Sequence, residues 1–455
     1  MSRSNGSGYQ RQAGSWINDV TKAGRGKNGF WRGGCLLIVG YIQRMGKAYK
    51  VALLIESSRA SGRGYLRGTA RYAQLHGPWS FYWEPGGFDV ARQTLETLDV
   101  DGIILRDVAR LKDQVLRLGI PAVVVGHRDK EIRNLINVVT DSEAIGQMAA
   151  EHLLQCGFQH FAFCGLAGTP LEQTPWSESR FEAFRKSIVE AGFAAPAFHM
   201  LSPSGLDWPE SRRRLADWLA KLPLPVGIMA GNDDCGVQVA EACKLAGIAV
   251  PDAAGIVGVD NDEVVCGLAD PPMTSVAVNF ERAGYEAARA LEMLMRKSGK
   301  APATITALAT HLVARRSTSV MAVDDASVAR ALSFIRKQAG RSFSVNAVAK
   351  SAGLSRRALE RRFRLKTGRS ILQAIRRART DEIARLLLET HRPVGEIAHL
   401  LGFEDAQHFA RYFRSVKKMS PQAFRKNYGS HPPPLVSQNG GYFPQNGVAA
   451  APVVG

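Results

Sequence analysis

The sequence predicts a two-lobed α/β domain built on parallel sheets, followed by an all-α C-terminal domain that carries two helix-turn-helix motifs. Three observations point there. From about 48 to 320, short apolar runs alternate with amphipathic stretches, the pattern of strands joined by helical crossovers. Residues 345–370 and 394–420 repeat one another. The charge is also segregated: the net +18 of the 455 residues divides into +8 on 1–50, −4 on 51–323 and +14 on 324–429. A near-neutral body joined to a basic module is the electrostatic footprint of a polyanion binder.

Strands are expected at 51–55, 81–83, 102–105, 122–125, 160–164, 226–230 and 255–259, with helices at 65–75, 142–156, 179–191, 211–222 and 234–245. The strand segments are short, β-branched or aromatic, and mostly end in Gly, Asp, Ser or Asn. About 270 residues suffice for two such lobes. Ligands of open α/β sheets bind beyond the carboxyl ends of the strands, which directs attention to Ser57, Ser58, Asp141, the pair Asn232-Asp233 and the pair Asp260-Asn261. A carboxylate accepts two sugar hydroxyls, and an asparagine both donates and accepts. Trp176 is suited to stack on an apolar sugar face, with Arg180 one helical turn later. An aspartate after a strand also serves as a helix N-cap, and Asp141 is open to that reading. Gly62, Gly64 and Gly68, with Glu84 closing the second strand, approximate a dinucleotide fingerprint. The third glycine comes one place late and six residues part the strand from the first, whereas the fingerprint needs its turn directly after the strand.

In the C-terminal repeat, Val345, Val348, Ala349, Ala352, Gly353 and Leu354 match residues 49 places later, and Leu359, Phe363 and Ser370 match residues 50 places later. Each copy reads as a helix, a glycine turn and a second helix. Ser355 and Asp405 are natural N-caps for the second helices. Leu359 with Phe363, and Phe409 with Phe413, are i,i+4 pairs that bury one face. The opposite face carries Arg357, Glu360 and Arg361 in the first copy and Gln407, His408 and Arg411 in the second. Arginine grips guanine O6 and N7 with two hydrogen bonds, and glutamine does the same for adenine N6 and N7. Arg356, Arg362, Arg364, Lys366, Arg414, Lys417 and Lys418 flank them as phosphate contacts, which position without specifying. Between the copies an amphipathic helix is expected over Ile371–Glu389. At 1.5 Å per residue it spans about 29 Å and, with its turns, approaches the roughly 34 Å between successive major-groove faces.

The remaining features argue against other classes. Cysteines 35, 156, 164, 235, 243 and 266 form no CxxC and no ligand spacing, so they are expected as buried thiols of a reducing cytoplasm, with no metal and no cofactor. No run approaches a membrane span. The apolar stretch 35–42 is followed by no A-x-A site; residues 1–47 read as a disordered leader or a mis-assigned start with Met45 as initiator, and 430–455 as a disordered tail. GxSxG is absent and the ten histidines do not cluster, so no enzyme is expected.

The stretches EHLLQCGFQHFAFCG, SRFEAFRKSI, GIMAGNDDCGVQVAEA and AGIVGVDNDEVV resemble the sugar-sensing domain of LacI-type regulators, which is periplasmic-binding-protein-like. That resemblance covers 48–320 and implies effector contacts at Arg180, Asn232 or Asp233, and Asp260. The headpiece usual at the N-terminus of that family has no counterpart in 1–47. The motifs SxxxLxRxFxxxxG (355–368), EIAxxxGF (396–403) and FxRxFxxxxxxSPxxFR (409–425) resemble the AraC-type DNA-binding domain, which implies base readers at Arg357, Glu360, Arg361, Gln407 and Arg411. Glu360 departs from the neutral or donor side chain frequent there; a carboxylate favours cytosine N4. The two modules together, with an Arg-Arg-Ser-Thr linker at 315–318 that continues through 321–326, are similar to sugar-sensing activators of pentose catabolism. This resemblance implies D-xylose as effector, a double-stranded operator, RNA polymerase as partner and a homodimer.

Overall fold

The computed structural model describes residues 48–429 apart from 86–98, 107–116, 118, 127–134, 168–173, 202–207 and 320–324. The expected leader, the tail and residues 321–324 of the expected linker therefore lie outside the described residues. In chain order the α/β part runs β1 (Tyr49–Leu54), α1 (Ala60–His76), β2 (Trp79–Trp83), β3 (Gly102–Arg106), β4 (Ala122–Val125), β5 (Leu135–Thr140), α2 (Ser142–Gln155), β6 (His160–Ala167), α3 (Pro175–Glu190), β7 (Ala197–Leu201), α4 (Trp208–Leu219), β8 (Val226–Ala230), α5 (Asp233–Leu245), β9 (Ala254–Asp260), α6 (Glu263–Leu268), β10 (Thr274–Val278), α7 (Phe280–Arg296), β11 (Thr304–Ala307), β12 (Ala309–Val313) and a 3₁₀ turn, Arg316–Thr318. The helical part follows as α8 (Ala326–Lys337), α9 (Val345–Ala352), α10 (Arg356–Thr367), α11 (Ile371–Glu389), α12 (Val394–Leu400), α13 (Ala406–Lys417) and α14 (Pro421–Tyr428).

The strands form two six-stranded sheets, ordered β11-β5-β4-β3-β1-β2 and β12-β10-β9-β8-β6-β7. All pairings are parallel except β10 with β12. The chain builds β1–β5 in the first lobe and β6–β10 in the second. It then returns one strand, β11, to the first and one, β12, to the second. Three crossings thus join the lobes and leave a cleft at the strands' carboxyl ends, as expected for such sheets.

The elements not singled out from the sequence are the strands β5, β7, β10, β11 and β12 and the helices α6, α7, α8 and α14. Strand β11 alternates exposed and buried residues instead of showing an apolar run. Helix α7 carries four alanines and one glycine, Gly284, and lies tightly against α1. A Cβ added to Gly68 would stand 1.9 Å from the backbone oxygen of Glu281, and one on Gly284 would stand 2.3 Å from that of Tyr65. Gly64 likewise faces Phe280. Gly64 and Gly68 therefore serve helix–helix contact, with Gly68 and Gly284 letting two backbones touch, while Gly62 lies against the Glu56 carbonyl that follows β1.

In the helical part, two small cores are strung on α11. One gathers Val328, Leu332, Val348, Leu359, Phe363 and Ile371; the other gathers Ile383, Leu387, Ile397, Phe409, Phe413 and Phe424. Helix α11 has the expected bounds and opens with a Ser370–Gln373 capping box. Each turn between paired helices uses a left-handed glycine, Gly353 at φ 70° and Gly402 at φ 74°. Among the described residues no helix is long and apolar enough to cross a membrane, and Cys156, Cys164, Cys235, Cys243 and Cys266 are buried free thiols.

Replacing Gly68 with alanine should lower the stability of the α/β part by about 1–3 kcal/mol through overpacking, read as a lower urea midpoint. Gly267→Ala, inside helix α6 with nothing within 4 Å of the added carbon, should leave the midpoint unchanged or raise it slightly, by up to about 1 kcal/mol.

Candidate functional site

The interlobe cleft encloses about 260 Å³, smaller than the pockets that take drug-sized ligands. Its floor is set by Arg180 of α3, a cation only 3% exposed. A guanidinium so deeply buried requires acceptors on all sides. Nη1 donates to the Gly231 carbonyl at 2.6 Å, and Nη2 donates to Asp260 Oδ1 at 3.3 Å and to Thr140 Oγ1 at 3.4 Å. Its carbon lies 4.9 Å from the Trp176 ring centroid, a cation–π contact. The buried Nε has no protein acceptor.

Asp260 ends β9 with φ 102°, and Asn261 follows at φ 52°, a left-handed pair that β-carbon sterics oppose. Burial pushes the Asp260 carboxyl above the usual range, against the opposing pull of Arg180 and Arg106. Asp233, 3% exposed, accepts from Ser275 Oγ at 2.6 Å and from the Asp262 amide at 2.7 Å. Burial, followed by the charge of Asp260, pushes it up to about 8, so it stands protonated near neutral pH.

Residues from the first lobe close the cleft. Glu56 pairs with Arg106 at 2.6 Å. Two further pairs cross between the lobes: Arg59 Nε to Asp234 at 2.7 Å, and Arg63 Nη2 to Asp262 at 3.1 Å. The Ala60 amide also donates to Asp262 at 2.7 Å.

Of the residues marked from the sequence, Trp176, Arg180, Asn232, Asp233 and Asp260 line the cleft. Asn232 does so while capping α5, its side chain accepting from the Cys235 amide at 2.9 Å. Ser58, Asp141 and Asn261 are not among its lining residues. Ser58 is exposed, and its carbonyl accepts from Arg63. Asp141 caps α2 through the Ala144 amide. Asn261 is held by Arg315, which donates to Oδ1 at 2.7 Å. Sequence reasoning missed Glu56, Arg59, Arg106, Asp234 and Asp262. The strand-end rule that chose Ser57 would also have found Glu56 and Arg106, each the first residue after an expected strand.

The helical part presents a second candidate surface. On α10 the side chains of Arg357, Glu360 and Arg361 are exposed, and on α13 so are Gln407 and Arg411. The opposite faces are buried through Leu359, Phe363, Phe409 and Phe413. Ser355 caps α10 through the Ala358 amide at 3.3 Å, and Asp405 caps α13 through the amides of Gln407 and His408 at 2.9 and 3.0 Å. Glu360 holds Arg356 at 2.9 Å, an exposed pair of little energetic weight. Arg362 pairs with Asp325 and Lys417 with Asp381, tying both helices to the scaffold; Lys366 is half-buried and Arg414 exposed. Arg379, which the sequence reading passed over, fastens α11 to the second copy. Its Nη2 donates to the Leu401 carbonyl at 2.8 Å and its guanidinium lies 4.7 Å over Phe403.

Comparison with known proteins agrees with both parts. A periplasmic binding protein-like domain matches residues 150–318, and a helix-turn-helix domain matches 348–427. The xylose operon regulatory protein of Escherichia coli is 27% identical over 384 residues, covering 83% of this chain and 97% of that protein. Its namesake in Haemophilus influenzae is 29% identical over 386 residues, covering 83% and 98%. A solved xylose-binding transcription activator superposes with a TM-score of 0.53 at 26% identity, over 85% of this chain and all of that one. The chain thus joins a periplasmic-binding-protein-like domain to an AraC-type helix-turn-helix domain, the two-module design it shares with the xylose operon regulatory proteins.

Proposed function

We propose that this protein is a sugar-responsive, sequence-specific DNA-binding transcription regulator that activates pentose catabolism genes when D-xylose binds. The observation that carries the reading is the presence, in one chain, of a small polar interlobe cleft and two helices whose arginine and glutamine faces stand open to solvent. In this reading 48–320 senses the sugar, 327–429 binds operator DNA, and the working unit is a homodimer that contacts RNA polymerase.

The cleft chemistry supports a neutral sugar. Arg59, Arg106 and Arg180 each already hold a carboxylate, so none of these three lining cations is left free for a phosphate or a uronate. Arg180, Asn232 and Asp260, with Glu56 and Arg106 opposite, offer the mixed donors and acceptors that hydroxyls require, and Trp176 adds a wall for the ring. The buried Arg180 Nε, without a protein acceptor, supports a ligand oxygen there. Asp233 acts beneath the sugar, holding the Asp262 amide and Ser275. On the helical part, Arg357, Glu360, Arg361, Gln407 and Arg411 are the proposed base readers. Arg356, Arg362, Lys366, Arg414 and Lys417 are the proposed phosphate contacts.

Calorimetric titration tests the cleft. Asp260→Ala should weaken D-xylose binding at least 30-fold, about 2 kcal/mol, because it strands the buried Arg180; Arg411→Ala should bind the sugar as wild type does. Heat from a different pentose or hexose but none from D-xylose would replace the effector and keep the sensor.

Operator binding tests the helical face, using DNA from upstream of the protein's own gene. Arg361→Ala and Arg411→Ala should each cost about 1–3 kcal/mol and relax preference at one base position, while Arg414→Ala should weaken all sequences alike and reduce the salt slope by about 1. Equal affinity for operator and random DNA in the wild type would overturn the regulator reading. Tighter operator binding without the sugar than with it would turn the activator into a repressor.

A further inference from the structure

The Arg-Arg-Ser-Thr stretch, expected as a linker, is instead a buried 3₁₀ turn held against the second lobe. Ser317 and Thr318 are 1% and 0% exposed. Ser317 Oγ donates to the Ile256 carbonyl at 2.6 Å and accepts from the Thr274 amide at 2.9 Å. The hydroxyls of Thr318 and Thr274 are 2.8 Å apart, and His152 Nε2 meets Thr318 Oγ1 at 2.8 Å. Burial and the neighbouring charge of Arg336 push His152 down to about 3, so this junction keeps a neutral imidazole throughout the physiological range.

Two arginines extend the segment in opposite directions. Arg315 reaches back to the cleft. Its Nη2 donates to Asn261 Oδ1 at 2.7 Å, its Nη1 to the Met273 carbonyl at 2.9 Å, and its own amide to Thr274 Oγ1 at 2.9 Å. Asn261 adjoins Asp260, and the pair holds the left-handed backbone described above. Arg336 reaches from the other module: standing on α8, it donates through Nη1 to the Thr318 carbonyl at 2.9 Å and through Nη2 to Cys156 Sγ at 3.1 Å. Helix α8 packs in one core with α9 and α10, and Asp325 at its start holds Arg362 of α10. A continuous run of polar contacts therefore leads from Asp260 through Asn261, Arg315 and the 3₁₀ turn to Arg336 and the first helix-turn-helix.

We propose that Arg315 is the positioning residue that transmits the state of the sugar cleft to the DNA-binding module, with Asn261 as its input and the Thr318–Arg336 contact as its output. The inference rests on the function proposed above and deepens it by naming the joint. The strained Asp260–Asn261 backbone is the element with two states. A sugar hydroxyl on Asp260 competes with Arg180 for the carboxylate and allows the pair to relax. Asn261 then shifts against Arg315, which sits on the chain that leads into α8. The other contacts between the modules, such as His311 Nε2 with Glu389 at 3.0 Å, dock the helical part without touching this loop.

The test measures operator affinity with and without saturating D-xylose, and takes the ratio, for full-length wild type, Arg315→Ala, Arg336→Ala and the double variant. In DNA-free protein Arg315→Ala should bind D-xylose within about threefold of wild type, since Arg315 lies outside the cleft lining, while the ratio should fall at least about fivefold, the lower end of ordinary allosteric coupling. Arg336→Ala approaches the same joint from the other module and should lose the ratio even if Arg315→Ala folds poorly. The double variant should lose no more than either single one, as members of one chain do. His311→Ala should keep the wild-type ratio. Full ratios in both single variants would overturn the joint while leaving the regulator intact; a wild type indifferent to D-xylose and to every other sugar would overturn the sensor reading itself.

Discussion

Four carboxylates crowd the edge of the second lobe within thirty residues: Asp233, Asp234, Asp260 and Asp262. Like charges this close, partly removed from water, repel strongly unless cations or protons intervene. The molecule uses both. Asp233 keeps a proton near neutrality, Arg180 from the same lobe holds Asp260, and the other two take their partners from across the cleft, Arg59 and Arg63 of α1. Closing the lobes is thus an electrostatic requirement of the second lobe as much as a packing preference. Opening them leaves Asp234 and Asp262 without those cations. The position of α1 then matters, and the glycine contact between α1 and α7 fixes it. Gly68 and Gly284 let the two helices touch, so that Arg59 and Arg63 stand where the carboxylates need them.

How far this was legible in the sequence depends on whether the cause was local. Helix α11, the caps at Ser355 and Asp405 and the buried pairs Leu359–Phe363 and Phe409–Phe413 all follow from spacing within a turn or two, and the structure has them where the pattern put them. The parallel sheets were legible from strand–helix alternation. The return of β11 and β12 to opposite lobes was not, because it is a matter of long-range pairing, and short strands such as β11 carry threonine on their exposed face. In the cleft, residues read as strand-end polar groups split three ways: Asp260 and Asn232 reach the cavity, Asp141 is taken by a helix end, and Asn261 is taken by an arginine 54 residues later. Only the fold could separate these, since a cap and a ligand contact look alike in sequence. Of the cations, Arg106 stood within reach of the strand-end rule, but the partners that give it and Arg63 their places did not. Arg106 and Arg63 act by crossing to residues 50 and 199 places away.

The helical part shows how a duplicated unit is made into one rigid reader. Each copy alone is two or three short helices around a handful of apolar side chains, a marginal core. Helix α11 contributes Ile371 and Ile375 to the first core and Ile383, Ala384 and Leu387 to the second, so neither copy can rotate without breaking the other's packing. Arg379 strengthens the second attachment by placing a desolvated guanidinium on Phe403 and hydrogen-bonding the Leu401 carbonyl at the turn. In the first copy Asp325 has the corresponding task, capping α8 while holding Arg362. The separation of the two exposed arginine faces is therefore a property of the whole part and not of two loosely linked modules.

That rigidity, with the exposure of α10 and α13, limits how a cleft on the other module can govern DNA binding. Occlusion is unavailable in this arrangement: Arg357, Arg361, Gln407 and Arg411 are open to solvent while the cleft is closed and the modules are docked. Internal re-spacing of the two recognition helices is unavailable too, since α11 holds them together. What remains adjustable is the placement of the helical part as one body on the α/β part. Among the described residues its attachments include these polar ones: Arg336 on Thr318, Arg377 on Glu151, Glu389 on His311, and the last turn of α14 on Asn279 and Arg282. Polar contacts at a part-hydrated surface exchange partners at little net cost, whereas a buried apolar seam would resist. A body held this way can be turned by small movements of the lobes beneath it. In a homodimer such a turn would alter the spacing between two rigid readers, the one quantity that neither reader can set for itself.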